Sequence, residues 1–271
     1  MNRGLLLKSV REVWPATLLF GLALLAVEGL LNYVFPTFYD DFFEPALRMQ
    51  FIQNLARGLL GTEALREIGP KTLSSVAWVH PLVLAIVWAH EITLCTRLPA
   101  GEVDRGTIDL LLGLPVSRWQ LYLCESSVWL ATGLVLTAAG VAGSLIGGLA
   151  IRPELRHEPG RLLVVILNFY CLYLAVGGLS WLVSAASDRR GRAVGVVFAV
   201  LLGSFLLNVL DQFWRPARAV SFLSVLHYYQ PMAVLRDAAW PARDMLVLLS
   251  AGLLLWLAGG LLFSRRNICT V

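Results

Sequence analysis

Charged residues are scarce in this chain of 271 residues. Only 15% of the residues are Asp, Glu, Lys or Arg, whereas 58% are hydrophobic. A soluble domain of this length usually carries about 25% charged residues. No polar stretch of the sequence is long enough to enclose a hydrophobic core of its own. The composition therefore excludes a soluble globular protein and predicts a polytopic membrane protein whose main surroundings are lipid.

The sequence also lacks the motifs that metal, redox and catalytic chemistry require. Its four cysteines are scattered singly, so they indicate neither a disulfide framework nor a zinc site. The run 69–72, Gly-Pro-Lys-Thr, fails the spacing of a Walker A loop, and no His-Glu-x-x-His motif or serine nucleophile turn is present. We therefore expect no catalytic residue and no cofactor in this chain, which is not an enzyme. If ATP drives the protein, another chain hydrolyses it.

Two histidines in one apolar stretch raise the question of a metal or haem site. His80 and His90 are ten residues apart and lie on about the same face of a helix. The other two histidines of the chain fall outside the apolar stretches, so no second helix supplies matching ligands. We expect no metal site here, and we expect Glu91 to pair with Arg97 or Arg105. The net charge of +4 is spread along the chain and does not indicate nucleic-acid binding.

Long apolar stretches predict an all-α fold with six membrane-spanning helices in a single domain, residues 1–271. The predicted spans are 15–35, 73–95, 121–150, 162–186, 193–210 and 244–263. Residues 1–14 predict an amphipathic helix at the membrane interface, and 36–72 an extracytoplasmic loop. Residues 211–243 predict an extracytoplasmic re-entrant or interfacial segment, with Tyr228 and Tyr229 at the level of the lipid headgroups.

Six spans place both chain termini on the same side of the membrane. Lys and Arg residues are divided evenly between the two sides, but Arg189, Arg190 and Arg192 fall in one short loop. The positive-inside rule gives most weight to short loops next to span ends. We therefore predict a multi-pass protein of the cell's inner (plasma) membrane with both termini in the cytoplasm.

Residues 102–120, EVDRGTIDLLLGLPVSRWQ, lie between two predicted spans and are patterned like a small folded element. Asp104 or Thr107 is placed to cap the start of a helix of about two turns. Three apolar residues then share one face of that helix: Ile108, Leu111 and Leu112.

The end of this helix and the start of the next one are also marked. Gly113 suits a left-handed cap, and Pro115 cannot continue the helix. Ser117 with Gln120 predicts a capping box at the start of the following span. The residues by themselves leave two interpretations open, a short helix lying on lipid headgroups or an element that docks into a groove of a cytosolic partner.

The same stretch resembles the coupling-helix region of the type-2 ATP-binding-cassette (ABC) exporter permeases. It is most similar to their short six-helix class, which includes the nitrous-oxide-reductase maturation-type permeases. That region typically carries an acidic residue, Gly-Thr, an apolar residue, leucines and a Pro-Val-Ser-Arg turn. The matching positions are Glu102, Gly106, Thr107, Ile108, Leu110, Leu111, Leu112, Pro115, Val116, Ser117 and Arg118. The family usually has Gly-Lys further on, where this chain has Cys124 and Glu125.

The resemblance implies the permease subunit of an ABC transporter, an exporter, with two copies joined as a homodimer. Two cytosolic ATPase chains would hold ATP and Mg²⁺. Leu111 and Leu112 would supply the docking area, while Arg105, Asp109 and Arg118 would set its register by charge complementarity. The residues implied in ATPase coupling are Glu102, Arg105, Gly106, Thr107, Ile108, Asp109, Leu111, Leu112, Pro115 and Arg118. The alternative is a membrane enzyme or a channel without an ATPase partner. The sequence does not identify a transported substrate.

Two further features concern the interior of the membrane. Glu28 lies in the first predicted span, where a carboxylate either serves function or meets water near the interface. Small residues repeat every four positions in two spans, at Ala139–Gly143–Gly147 and at Gly195–Ala199–Gly203, the spacing that lets helices approach closely. The resemblance implies that the first and fifth spans line the subunit boundary. We therefore predict that Gly195, Ala199 and Gly203 form the homodimer interface, with Glu28 near a shared translocation path.

Overall fold

The computed structural model of the protein describes residues 3–53, 74–156, 158–211, 214–231, 234 and 240–267, and every regular element in these ranges is helical. Five of the helices are long and apolar enough to cross a membrane. A sixth span results if Pro81–Cys95 and the following Arg97–Asp104, which are bent by 60° relative to each other, count as one. The structure therefore confirms the predicted all-α polytopic membrane fold, with five or six spans.

We number seven helices in chain order. They are α1 (Arg3–Thr37), α2 (Pro81–Cys95), α3 (Ile108–Leu112), α4 (Arg118–Leu149), α5 (Pro159–Ala186), α6 (Arg190–Leu210) and α7 (Ala242–Arg265). Shorter helical pieces are Tyr39–Phe43, Glu44–Leu47, Ser74–Val79, Arg97–Gly101, Glu102–Asp104, Pro153–Leu155, Arg215–Val220, Ser221–Leu223 and Val225–Tyr228. The predicted loop 36–72 falls largely on residues 54–73, which lie outside the described residues, as does the Gly-Pro-Lys-Thr run.

Helix α1 joins the predicted interfacial segment 1–14 and the first predicted span in one helix of 35 residues. At 1.5 Å per residue such a helix is about 50 Å long, well over the ~30 Å of a hydrocarbon core. Its buried residues recur every four positions from the start of the helix, at Leu5, Ser9, Val13 and Thr17. The N-terminal part of α1 therefore packs against the rest of the protein through the same face as the spanning part.

Helices α1 and α4 form one closely packed pair, because two glycines of α4 lie directly on the backbone of α1. A Cβ atom at Gly143 would lie 2.2 Å from the carbonyl oxygen of Leu25. A Cβ atom at Gly147 would lie 2.2 Å from the carbonyl oxygen of Gly29. Since real Cβ atoms do not come this close to a backbone oxygen, only glycine fits at these two positions.

Helices α5 and α7 form a second pair of the same kind. A Cβ atom at Gly178 would lie 2.3 Å from the carbonyl oxygen of Gly252. One turn after Gly252, the carbonyl of Trp256 in α7 accepts a hydrogen bond of 2.8 Å from Tyr122 of α4. Helix α2 lies between the two pairs and contacts α1 and α5. Helix α6 is more peripheral, and much of its apolar surface faces outward.

At the end of the bundle away from α3, residues 221–229 are fixed to three helical elements. Ser224 and Ser204 of α6 lie with their hydroxyl oxygens 2.9 Å apart. Asn168 of α5 donates to the carbonyl of Tyr228 at 3.5 Å, and the Tyr229 hydroxyl donates to the carbonyl of Trp78 at 3.0 Å. Tyr229 is buried, so its side chain packs inside the chain.

Candidate functional site

The candidate site is the segment between α2 and α4, residues 96–117, which we call the bend segment. Helix α2 ends at Cys95, and Leu98 adopts an extended conformation with φ −128° and ψ 136°. Proline disfavours helical conformation in the residue before it, and Pro99 follows Leu98 directly. The chain therefore turns away from the axis of α2 at this point, instead of continuing as a straight span.

Glu102 organises the first part of the bend segment from a buried position. Its carboxylate accepts a hydrogen bond of 2.8 Å from Arg105 and a second one from the hydroxyl of Thr107. The backbone carbonyl of Glu102 also accepts the backbone N–H of Thr107 at 3.0 Å. These contacts close a tight loop around Gly106, whose φ of +67° is readily adopted by glycine.

The structure corrects how α3 begins and ends. Thr107 is its N-cap residue, but the Thr107 hydroxyl is bonded to Glu102 and makes no capping hydrogen bond. The carboxylate of Asp104 instead accepts the backbone N–H of Arg190 at 3.2 Å. Gly113 has a right-handed φ of −73°, so the left-handed glycine of this segment is Gly106 and not Gly113. Helix α3 has five residues, fewer than the two turns predicted.

The start of α4 follows the prediction. The Ser117 hydroxyl accepts the backbone N–H of Gln120 at 3.1 Å. The Gln120 side chain accepts the backbone N–H of Ser117 at 2.9 Å. This reciprocal pair is the predicted capping box, and it sets the direction in which α4 leaves the bend segment.

The residues of α3 that face the protein core and those that face outward differ from the prediction. Ile108 is fully buried and Leu111 is 8% exposed, and both belong to the hydrophobic core of the chain. Leu110 is 75% exposed and Leu114 is 41% exposed. The expectation that Leu111 supplies docking surface is therefore wrong, because this side chain already holds α3 onto its own protein. Leu112 is partly buried, and the outward apolar surface consists of Leu110 and Leu114.

The charged residues expected to meet a partner also make contacts inside the chain. Arg105 is half exposed and paired with Glu102. Arg118 donates to the carbonyl oxygens of Arg266 at 2.5 Å and Phe263 at 3.2 Å, so it binds the C-terminal end of α7. Asp109 and Pro115 are exposed beside Leu110 and Leu114.

Arg190, the first residue of α6, joins the bend segment to that helix. Its side chain donates to the carbonyl of Thr93 at 2.9 Å and approaches the hydroxyl of Thr96 at 3.5 Å. With the backbone contact to Asp104, these bonds hold the start of α6 against the bend. In the sequence, Arg190 stood out only as part of the short basic turn around residue 190. That turn predicted the orientation of the chain in the membrane and did not predict this contact.

The predicted partner of Glu91 is also corrected. Arg97 is bonded to Glu12 and Glu125, and Arg105 to Glu102. Glu91 is fully buried, and its carboxylate lies beside Trp129 and the backbone of Gly177, not beside either arginine.

The structure also assigns surroundings to the histidines. His80 accepts the backbone N–H of Leu82 at the start of α2, and His90 lies 3.3 Å from the Thr17 hydroxyl. Within the described ranges, no three His, Cys, Asp or Glu side chains are grouped as a metal site would require.

Glu28 does not lie on an exposed surface of the described chain. It is fully buried, and Asn32 one turn later donates to its carboxylate at 2.9 Å and to its backbone carbonyl at 2.8 Å. In contrast, Gly195, Ala199 and Gly203 are all exposed on α6. A Cβ atom at either glycine would meet no atom of the described residues within 4 Å.

These features define a class of protein: a helical membrane protein whose bent second span leads into a short, exposed element tied to the ends of several spans. Residues 13–265 match the family described as ABC-2 family transporter protein. Since this match covers most of the 271 residues, the chain belongs to the ABC-2 transporter family. It is an ABC transporter permease with transmembrane helices.

One curated relative is similar over part of the chain. It is the probable ABC transporter permease protein NosY of Pseudomonas aeruginosa, 28% identical over 165 residues. The match covers 55% of this chain and 58% of the relative, so it spans less than two thirds of either protein. No solved structure matches the chain.

Proposed function

We propose that the chain is the membrane-spanning subunit of an ABC exporter driven by a separate ATPase subunit that docks on the bend segment. The observation that carries this proposal is Leu110, a leucine that is 75% exposed at the tip of an element otherwise fixed to its own protein. An exposed apolar anchor with a neighbouring charge, here Asp109, is the kind of surface that fills an apolar groove of a partner.

The contacts behind that tip explain how docking would act on the spans. The bend segment continues directly from α2 and leads through the Ser117 cap into α4. Asp104 and Arg190 join it to α6, and Arg118 joins the start of α4 to the end of α7. A displacement of the bend segment at Leu110 would therefore be transmitted to several spans at once.

The proposal extends to assembly and orientation. Two copies meet through the exposed Gly195–Ala199–Gly203 face and enclose the path, and two ATPase chains hold ATP and Mg²⁺. Glu28 lies near that path in this arrangement. The ATPase is cytosolic, so the bend segment and both chain termini face the cytoplasm at the inner membrane. The chain itself hydrolyses nothing, and it binds no nucleic acid.

Capture of the ATPase tests the docking surface. Leu110→Asp should lower co-purification of an ABC ATPase with the tagged permease by about tenfold or more, because a charge would enter an apolar groove. The matched control is Leu223→Asp, which changes a similarly exposed leucine (68%) at the opposite end of the bundle. Undiminished capture by Leu110→Asp, with mass spectrometry identifying the ATPase, would contradict the proposed docking site.

Cysteine labelling tests the orientation. Gly191 is exposed, and a Cβ atom there meets nothing within 4 Å, so Gly191→Cys is expected to leave the fold intact. An impermeant thiol reagent should leave this cysteine unlabelled in intact cells and label Phe222→Cys, at the opposite end. Labelling in the reverse pattern would place the bend segment outside the cytoplasm and remove the ATPase from the mechanism.

A further inference from the structure

Arg97 lies in the bend segment just after the end of α2, and its side chain is only 11% exposed. Its two terminal nitrogens bind two different helices: Nη1 pairs with Glu12 of α1, and Nη2 pairs with Glu125 of α4. Nη2 also donates to the hydroxyl of Ser9 in α1 at 2.8 Å. One side chain therefore connects the bend to both members of the α1/α4 pair.

The groups around Arg97 form a small ionic cluster. Ser9 donates to the carboxylate of Glu125 at 2.7 Å, and Lys8 pairs with Glu12 at 3.1 Å. The two carboxylates and the two cations balance in charge. Glu125 is 9% exposed and Ser9 is fully buried, so water does little to replace these bonds if the geometry changes. Buried ion pairs depend strongly on keeping both partners in place.

The helices that Arg97 reaches are those that cannot slide easily past each other. Gly143 and Gly147 bring α4 onto the backbone of α1, so the pair is expected to move as one body. The contacts of Arg190 with Asp104 and Thr96 connect the bend segment to α6 instead. The Arg97 cluster thus gives the bend segment a separate connection to the α1/α4 pair.

We propose that Arg97 is a positioning residue of the transport cycle, which transfers displacement of the bend segment to the α1/α4 pair through Glu12 and Glu125. This rests on the proposed function, since a partner would displace the bend. It also gives the N-terminal turns of α1 a role: they are the receiving end of that connection and not an independent anchor on the membrane surface.

A double-mutant cycle on the purified full chain tests the connection without any ATPase. Gly106→Ala places a Cβ at a φ of +67°, which strains the bend segment locally. Hydrogen exchange measured by mass spectrometry should become about fivefold faster in residues 106–112 and about threefold faster in residues 3–14 of α1. In the Arg97→Gln/Glu125→Gln background, Gly106→Ala should still accelerate exchange in residues 106–112 but no longer in residues 3–14.

The double substitution leaves no unpaired buried charge. Glu125→Gln is isosteric and neutral, and Arg97→Gln is neutral although shorter. Glu12, which also loses Arg97, is 39% exposed and keeps its ion pair with Lys8. Arg118→Gln is the matched control, since it removes a cation from the same end whose bonds go to α7. In that background the effect of Gly106→Ala on α1 should persist. A purely stabilising role for Arg97 predicts a change in baseline exchange but an unaltered response to Gly106→Ala.

Two results would overturn the inference: a response of α1 to Gly106→Ala that survives Arg97→Gln/Glu125→Gln, or no response of α1 in the otherwise wild-type chain. Neither result depends on ATPase capture. The proposed function can therefore fail in the Leu110→Asp experiment while the Arg97 connection stands, and the reverse also holds.

Discussion

Two stretches with the same pattern of small residues have opposite surroundings in this protein. In α4, Gly143 and Gly147 are buried against backbone carbonyls of α1. In α6, Gly195 and Gly203 face open space, and Ala199 between them is exposed. The spacing itself states only that another backbone could come close. The comparison shows that one stripe of small residues is used within the chain, whereas the other faces outward from the described residues.

The α5/α7 pair supports this division. Gly178 of α5 lies on the backbone of Gly252, and Gly252 of α7 lies on the backbone of Leu174, as the glycines of α4 lie on α1. Both pairs join helices that are distant in sequence, and both leave no room for a side chain. Among the described residues, helix α6 has no such contact at its stripe, although its buried face, with Val197 and Leu201, packs on the bundle. The exposed stripe is therefore a surface and not a gap in the packing.

The largest effect is expected where the small residues of α4 pack against the backbone of α1. Gly143→Leu should prevent the close approach of α1 and α4, because even its Cβ would lie 2.2 Å from the carbonyl oxygen of Leu25. Overpacking of this kind costs about 1–3 kcal/mol or more. We expect a loss of monodisperse protein and a lower thermal midpoint in detergent. Gly148→Leu is the control, since a Cβ atom there meets nothing within 4 Å. Equal stability of the two variants would contradict the close packing of α4 against α1 at Gly143.

A smaller effect, on assembly and not on folding, is expected at the exposed small residues of α6. Gly195→Leu combined with Gly203→Leu should leave the thermal midpoint of the monomer nearly unchanged. It should shift the proposed dimer toward monomer by about tenfold or more, because the added side chains block close backbone approach. Native mass spectrometry or light scattering in detergent measures this shift. A dimer that persists in this variant would assign the interface to another surface.

The smallest effect is expected for Gly195→Ala, which sharpens the comparison between a helix surface and an interface. On an open helix surface, alanine is favoured over glycine by about 0.5–1 kcal/mol. The monomer of Gly195→Ala should therefore be slightly more stable, by thermal unfolding at a detergent-to-protein ratio that separates the copies. A decrease in monomer stability would show that the position is already packed against its own chain.

The class of the protein and several of its local features follow from the amino-acid sequence alone. Scarcity of charge and long apolar stretches are properties of composition, so they predicted a helical membrane protein without any knowledge of contacts. The capping box of Ser117 and Gln120 was predictable because its two hydrogen bonds join residues three apart. The ordered residues of the bend segment carried the resemblance to ABC permeases.

Only the tertiary structure decided which of these residues face inward. Helical spacing places Ile108 and Leu111 on one face, but it does not say whether that face meets a partner or the protein's own core. The partners of Arg97 are 85 and 28 residues away in the chain, which no local pattern encodes. The stripes of α4 and α6 have the same pattern in the sequence because lipid and protein interior are equally apolar. Hydrophobicity therefore does not distinguish a buried helix face from an exposed one in a membrane.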